Sequence, residues 1–566
     1  NGTSGHSATV SSAGGTDTLR DIEAINGTSG ADYIQATLTD PIAGFQARGY
    51  GGNDTIVGTA DRSVGFLADY RVSGVTSGIV ADLATGIVSN DGFGGQDFLV
   101  NVSWVRGTDF ADTLLGTDGT DRFRGRGGND HMDARGGTAD ILDYAQSGSA
   151  VSVNLVTQRA TDGEGGTDTV IGFEEVRASA GNDTITGSAA DEVFQPYSGN
   201  DTVDGGGGQD RVVYNQNSGN VGSPTQGAVV NLATGVATDG WGGTDRLISI
   251  ERVTGTAFAD SMVGGAENNR FRGRAGNDTL NGGLGGDYTE YQNATTGVTA
   301  NLTTGVATDG EGGTDRLISI EHVIGGSHAD HLTGVAQLGR STSLLRGGGG
   351  NDTLVGINGE YVVADYADQT KGLTINLATG TANDGNGGID TLITIRGLNM
   401  FGDFADRLTG SAANEWFNPS RGADYVNGAA GFDIIAYAGT DTGGVSVNLV
   451  TARARDIGGA IDTILGFEGV SAGFGDDTII GNALGNLIAP GAGADSINGG
   501  GGQDTISYSL GFAPDGIQYT TNESGDRLAV KGVTIDLLTQ RATDFAGDVD
   551  TLVSIEHAIG STGNDI

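Results

Sequence analysis

The chain has 566 residues, 104 of them Gly, 6 Pro and none Cys. Glycine far above its usual share of roughly 7%, without a three-residue beat, excludes collagen, and the missing thiols exclude disulfide scaffolds, thiolate zinc sites and a catalytic cysteine. The 71 acids against 29 Lys plus Arg leave a net charge of −42, which excludes binding nucleic acid through its phosphates and makes cations the natural partner; about 21 divalent ions would balance it.

No stretch of about 18 apolar residues occurs, so no membrane insertion is predicted. In chain order, residues 1–77 read as a partial module, followed by modules at 78–150, 151–228, 229–297, 298–372, 373–444 and 445–532, and 533–566 opens another. The signature VVNLATGVATDGWGGTDRLISIERV at 229–253 returns as VTANLTTGVATDGEGGTDRLISIEHV at 298–323, with relatives from Ile79, Val151, Leu373, Val445 and Val533. Leu83, Leu155, Leu232, Leu302, Leu377, Leu449 and Leu537 mark one beat. Tyr70, Tyr144, Tyr214, Tyr291, Tyr366, Tyr437 and Tyr508 keep a second with nearly the same period.

Inside each module lies a nine-residue step, as in Asp260, Asn269, Asp278 and Asp287, with Met262, Phe271 and Leu280 two positions after the first three. One inward apolar residue per nine predicts a short strand and a tight turn, two of which make an 18-residue coil. Coils stack as parallel strands about 4.8 Å apart. The predicted fold is all-β: a parallel β-roll or β-solenoid of tandem modules near 72 residues, a rod of order 120–150 Å. The VNLATGVATDG portion reads as two strands around a Thr-Gly turn, outside the nine-residue register. Residues 512–532, in the module 445–532, read as an inserted hairpin.

The acidic loops carry the chemistry. A hard dication takes six to eight oxygens at about 2.4 Å, and one glycine-rich loop supplies too few. Stacking loops 18 residues apart brings a second set of carbonyls and a second carboxylate. The candidate pairs are Asp112 with Asp130, Asp183 with Asp201, Asp260 with Asp278, Asp406 with Asp424, and Asp477 with Asp495. The opposite flank offers Asp121 with Asp140 and, more weakly, Asn269 with Asp287. Asp54, Asp210, Asp352, Asp433 and Asp504 end further loops of this kind. A second candidate loop is DGxGGxD, with acids six apart: Asp91/Asp97, Asp162/Asp168, Asp239/Asp245, Asp309/Asp315 and Asp384/Asp390. Equivalent acids persist at Asp456/Asp462 and Asp544/Asp550 where the glycines fail. A bland alternative is that these carboxylates only cap their own turns; like charges stacked one strand apart argue for an ion. His322, His328 and His331 cluster, but HExxH is absent and His557 repeats the place of His322, so His322 reads as a surface strand position, not a zinc ligand.

The loops GGGGQD 205–210, GGGGND 347–352 and GGGGQD 499–504, with strand residues behind them, resemble the GGxGxDxUx nonapeptide of the RTX, or hemolysin-type calcium-binding, proteins. The resemblance implies a calcium-loaded parallel β-roll, many Ca2+ ions, an extracellular or bacterial cell-surface location and export by type I secretion. Its longer signature also looks like the linking segment of large secreted members. GRGGND 125–130, GRAGND 273–278 and PSRGAD 419–424 depart from the motif, and Pro196, Pro419 and Pro490 in loop positions are expected to mark empty or altered sites.

Every module looks alike and no catalytic constellation stands out, so the expected function is non-enzymatic: a calcium-stiffened segment of a surface-layer, adhesin or matrix-filament protein. The alternative is the calcium-binding portion of a secreted enzyme (protease, lipase or polysaccharide-modifying) with its catalytic domain outside these residues. A carbohydrate- or ice-binding face is a third reading, from Thr55, Thr184, Thr279, Thr353 and Thr478, which β propensity already explains. Cell-surface polysaccharide is a candidate partner. Because NGTSG at 1–5 repeats 26–30 and the last module is partial, either continuation into a longer chain or head-to-tail self-association is expected.

Overall fold

The computed structural model describes residues 7–12, 15–20, 23–37, 45–59, 65–216, 222–336, 342–437, 443–508, 532–561 and 563–566. Among these there is no helix, and the strands are three to six residues long. The hairpin expected at 512–532 lies, but for Gly532, outside the described residues. The chain divides into two compact units, Asn1–Phe258 and Ala259–Ile566, and each is a β-roll in its own right.

The first unit shows how the sequence step becomes a coil. Thr113–Leu115 lies in one sheet, Arg122–Arg124 in the other, His131–Asp133 back in the first and Ile141–Asp143 in the second. Successive coils pair in parallel, Leu114 beside Met132 and Phe123 beside Leu142. Because side chains alternate in and out along a strand, a three-residue strand turns one side chain inward. Leu114, Phe123, Met132 and Leu142 are all fully buried between the sheets. Each such burial contributes about 2 kcal/mol, and truncating Phe123 to Ala would cost about 3–5 kcal/mol.

The signature block widens every module on one side only. Ser152–Asn154 runs antiparallel to Arg159–Thr161, which runs antiparallel to Thr167–Ile171. This excursion slots into the first sheet, with Val170 beside Met132 and Val153 beside Ile185. The second sheet passes straight from Ile141–Asp143 to Glu175–Arg177. The second unit repeats the scheme with Thr299–Asn301, Val306–Thr308 and Thr314–Ile318. At the start, Ser7–Ser12 pairs antiparallel with Gly15–Arg20 and with Tyr33–Thr37.

One expectation is corrected. His322 is 1% exposed, not on the surface. Its ring packs 4.2 Å from that of Tyr288, and its Nδ1 accepts the Leu344 N–H. Burial, with Arg270 nearby, pushes its pKa down to about 3, so it is a neutral core residue.

Candidate metal centre

On the flank where the chain returns to the first sheet, the loop carboxylates form columns of three. Asp112 donates its amide to Asp130 Oδ1 at 2.8 Å, and Asp130 donates its own to Asp168 Oδ1 at 2.9 Å. Asp183, Asp201 and Asp245 repeat this, as do Asp260, Asp278 and Asp315. So do Asp406, Asp424 and Asp462, and Asp477, Asp495 and Asp550. Asp32, Asp54 and Asp97, and Asp330, Asp352 and Asp390, complete seven columns among the described residues.

The members of a column differ in their second oxygen. The first carboxylate of the Asp183 column is satisfied at both ends, Oδ1 by the Val151 amide and Oδ2 by the Ser179 amide, and so are Asp112 and Asp330; at Asp477 the Oδ2 is buried without a partner. The third is sealed by the recurrent tyrosine. Tyr144 donates to Asp168 Oδ2 at 2.7 Å, Tyr214 to Asp245 at 2.9 Å and Tyr291 to Asp315 at 3.0 Å. Tyr70, Tyr366, Tyr437 and Tyr508 do the same for Asp97, Asp390, Asp462 and Asp550. The middle carboxylate is unsatisfied in every column. Oδ2 of Asp54, Asp130, Asp201, Asp278, Asp352, Asp424 and Asp495 is buried without a hydrogen-bond partner.

The DGxGGxD loop is not a separate site. Its second acid is the third member of the column, and its first acid stands over the loop below. Asp162 Oδ1 caps the amides of Glu164, Gly165 and Gly166, each at 2.8 Å. Its Oδ2 is buried and unpartnered, as are those of Asp91, Asp239, Asp309 and Asp384. A Cβ on Gly166 would sit 1.5 Å from Gly128 O and 2.5 Å from Asp162 Oδ2. Gly313 is placed alike against Gly276 O and Asp309 Oδ2, and Gly388 against Gly350 O and Asp384 Oδ2. Two oxygens from successive coils thus crowd a space that only a missing side chain keeps open.

Electrostatics identify the same places. Asp130 is pushed up to about 9, first by burial, then by Asp112, Asp168 and Asp162, while the Asp112 amide pulls the other way. Asp201 and Asp495 reach about 9, Asp278 and Asp424 about 8, and Asp54 and Asp352 about 7, burial being the largest cause in each. A group of carboxylates this unfavourable without a counter-charge fits a hard cation. Among the described residues no three acidic or imidazole side chains converge on one point, so carbonyls must supply most of the oxygens. Asp130, Asp162 and the Gly128 carbonyl, with their counterparts in other modules, are the residues that would hold a calcium ion, which would supply the missing charge between coils.

The opposite flank has shorter columns ending in a glutamate that sequence reasoning missed. Asp121 donates its amide to Asp140 Oδ1, and Asp140 to Glu174. Glu192, Asp210 and Glu251 follow suit, as do Asn269, Asp287 and Glu321. Glu415, Asp433 and Glu468, then Asn486, Asp504 and Glu556, complete the set. Asp210, Asp287, Asp433 and Asp504 keep an unpartnered buried Oδ2, and burial raises Asp210 to about 8 and Asp287 and Asp433 to about 7. The signal was available: the glutamate of each IExV, FExV or IExA block stands six residues after the last acid of DGxGGxD or its equivalent, with Ser103 and Arg396 in its place in two modules. Asp32 and Asp330 were missed because they precede their partners by 22 residues, although each ends its loop in Ala-Asp like Asp112 and Asp260.

The proline loops differ among themselves. Asp456 Oδ2 accepts the Gly422 amide at 2.8 Å and Asp544 Oδ2 the Gly493 amide at 3.1 Å, so in the Pro419 and Pro490 loops the acid closes on protein. In the Pro196 loop Asp239 Oδ2 stays without a partner.

No curated protein matches the chain. The RTX calcium-binding nonapeptide repeat, a family defined over four copies, matches residues 47–64, 106–139, 171–195, 197–216, 254–288, 341–359, 402–435 and 486–512. These segments contain the middle carboxylate of all seven columns. Column geometry and family match together show that RTX calcium-binding nonapeptide repeats, sites for multiple calcium ions, recur across the chain.

Proposed function

We propose that the chain is a non-enzymatic, extracellular structural repeat: a segment of a surface-layer, adhesin or matrix-filament protein that calcium folds and stiffens. The observation that carries this reading is the repetition of one column, with one unsatisfied middle carboxylate, in seven successive modules. An array of equivalent ion bridges suits a mechanical element, where a catalytic site needs one place unlike the others. The modules bounded at 78, 151, 229, 298, 373 and 445 are the proposed units, each with its own ions. Where calcium is scarce the carboxylates hold the chain open, and outside the cell ion binding becomes folding energy. That logic supports export unfolded, by type I secretion.

Electron microscopy and sedimentation of the chain in millimolar calcium test the proposal. Folded particles that collapse to an unfolded chain on chelation, and fibres at high concentration if copies join, are expected. A catalytic domain in the same reading frame, with these residues as its tail, would overturn the structural role.

A further inference from the structure

One stretch of the first sheet's outer face, in the second unit, carries no acid. Its outward positions from Thr374–Asn376 through Ser496–Asn498 are Thr, Ser, Asn, Ile, Leu, Tyr and Arg, in a chain whose acids outnumber Lys plus Arg by 71 to 29. Three exposed arginines gather there: Arg407, Arg453 and Arg455. Arg407 is in register with Tyr425, Tyr425 with Thr463 and Thr463 with Arg453. Arg407 and Arg453 thus share a row across the strands, three strand spacings or about 14 Å apart. Arg455 lies on the same face of the Arg453 strand. The Arg407 guanidinium carbon is 4.2 Å from the centre of the Tyr425 ring, and Arg453 Nη1 donates to Thr463 Oγ1 at 3.2 Å. Both side chains lie along the sheet, with most of their five N–H donors toward solvent.

Arginines of the second sheet are spent differently. Arg122 pairs with Asp143 at 2.5 Å, Arg272 with Glu290 at 2.7 Å and Arg346 with Asp365 at 2.5 Å. Arg407, Arg453 and Arg455 form no ion pair among the described residues. The row also departs from the repeat. Arg407, Tyr425 and Arg455 stand where the same strands two modules earlier carry Ser261, Thr279 and Thr308, while Arg453 recurs as Arg159 and Arg541. In an array of near-identical modules, a local departure on the solvent face marks a place with its own contact. Exposed guanidiniums on a face cleared of carboxylates are complementary to anions. Thr463 and Asn448, in the same row, suit a ligand with hydroxyls, and the exposed Ile461 and Leu465 between them offer apolar contact to the C–H faces of sugar rings. Calcium in the flanking columns cancels charge that would otherwise repel such a ligand.

We propose that this row binds an extended acidic polysaccharide, its acid groups on Arg407, Arg453 and Arg455 and its hydroxyls on Thr463 and Asn448. The proposal gives the surface role above a partner of stated chemistry and rests on that role. Calorimetric titration of the calcium-loaded chain with hyaluronan hexasaccharide, its carboxyl-reduced neutral form and phosphatidylglycerol vesicles tests it. The hexasaccharide should bind at least tenfold more tightly than the neutral form. The triple variant R407S/R453T/R455T, which carries residues that sibling modules have at these positions, should lose at least tenfold in hexasaccharide affinity, with calcium stoichiometry and β signal unchanged. The single variant R455T should lose at least threefold, which keeps the test open if the triple variant fails to fold. R246T/R316T, elsewhere on the same face, should bind as the parent does. Equal binding of the neutral form, unchanged affinity in both row variants, or an equal loss in R246T/R316T overturns the assignment. Vesicle binding without hexasaccharide binding would give the row to a membrane and overturn it too. The structural role falls on a different result, a catalytic domain in the same reading frame, so the two can fail separately.

Discussion

Asp130 carries opposite demands on its two oxygens: Oδ1 holds the Asp112 amide, and Oδ2 is buried with nothing to accept from. Its pKa near 9, against 3.8 for the ordinary side chain, sets a pH dependence. Between about pH 4 and 9 the folded, calcium-free protein binds more protons at such sites than the unfolded chain. Stability then falls as pH rises through this window. In calcium-stripped buffer the remaining β signal should therefore be larger at pH 5 than at pH 8.5. Millimolar calcium should reverse the order, because the ion competes with the protons. A β signal that rises with pH in the absence of calcium would contradict the burial assigned to the middle carboxylates. The tyrosine seal gives a second expectation. Tyr291→Phe leaves Asp315 Oδ2 without its 3.0 Å donor, at a cost of about 1–3 kcal/mol. Melts of the calcium-loaded protein should show that loss, with the calcium count preserved.

At the scale of the turn, two adjacent glycines separate strain from stacking. Gly312 has φ +114 and open space where a side chain would go, while a Cβ on Gly313 would lie 1.5 Å from Gly276 O. Gly312→Ala should cost about 1–3 kcal/mol through backbone strain alone. Gly313→Ala should cost more than about 4 kcal/mol and remove calcium binding at that coil, since the two coils can no longer meet; calcium titration and thermal melts of the pair will show the order. This is also the scale at which sequence reading succeeded and failed. The 18-residue stacking of Asp112 on Asp130 was legible because every loop and strand between them has the same length. The stacking of Asp130 on Asp168 was not, because the antiparallel excursion from Ser152 to Thr161 lengthens that coil and the spacing becomes 38. The tyrosine beat was visible, but its partner lies 24 residues on for Tyr144 and 42 for Tyr508, so spacing alone could not reveal the bond. His322 misled because its counterpart His557 is exposed while His322 is enclosed by Tyr288 and its neighbours.

For the molecule as a whole, the net charge of −42 concentrates where screening is weakest. Salt attenuates exposed charges, with a Debye length of about 3 Å at 1 M, but reaches buried ones poorly. Circular dichroism should therefore show loss of β signal in chelator, full recovery in millimolar calcium, and little recovery in 1 M NaCl. Magnesium should also recover it poorly, because it holds to a small octahedral shell that loops of carbonyls do not offer. Equal folding in chelator and calcium would remove the ion-bridge account.

The amide-to-carboxylate columns also have a polarity. In every link the donor belongs to the earlier coil and the acceptor to the later one, from Asp32 to Asp54 through Asp495 to Asp550. The same junctions also carry bonds in the opposite sense, since the His131 amide donates to the Asp112 carbonyl and the Thr279 amide to the Asp260 carbonyl. Each coil is thus both donor and acceptor to its neighbour, and the two strips of bonds differ: trimming coils from the C-terminal end leaves loop amides without a carboxylate, whereas trimming from the N-terminal end leaves carboxylates without an amide.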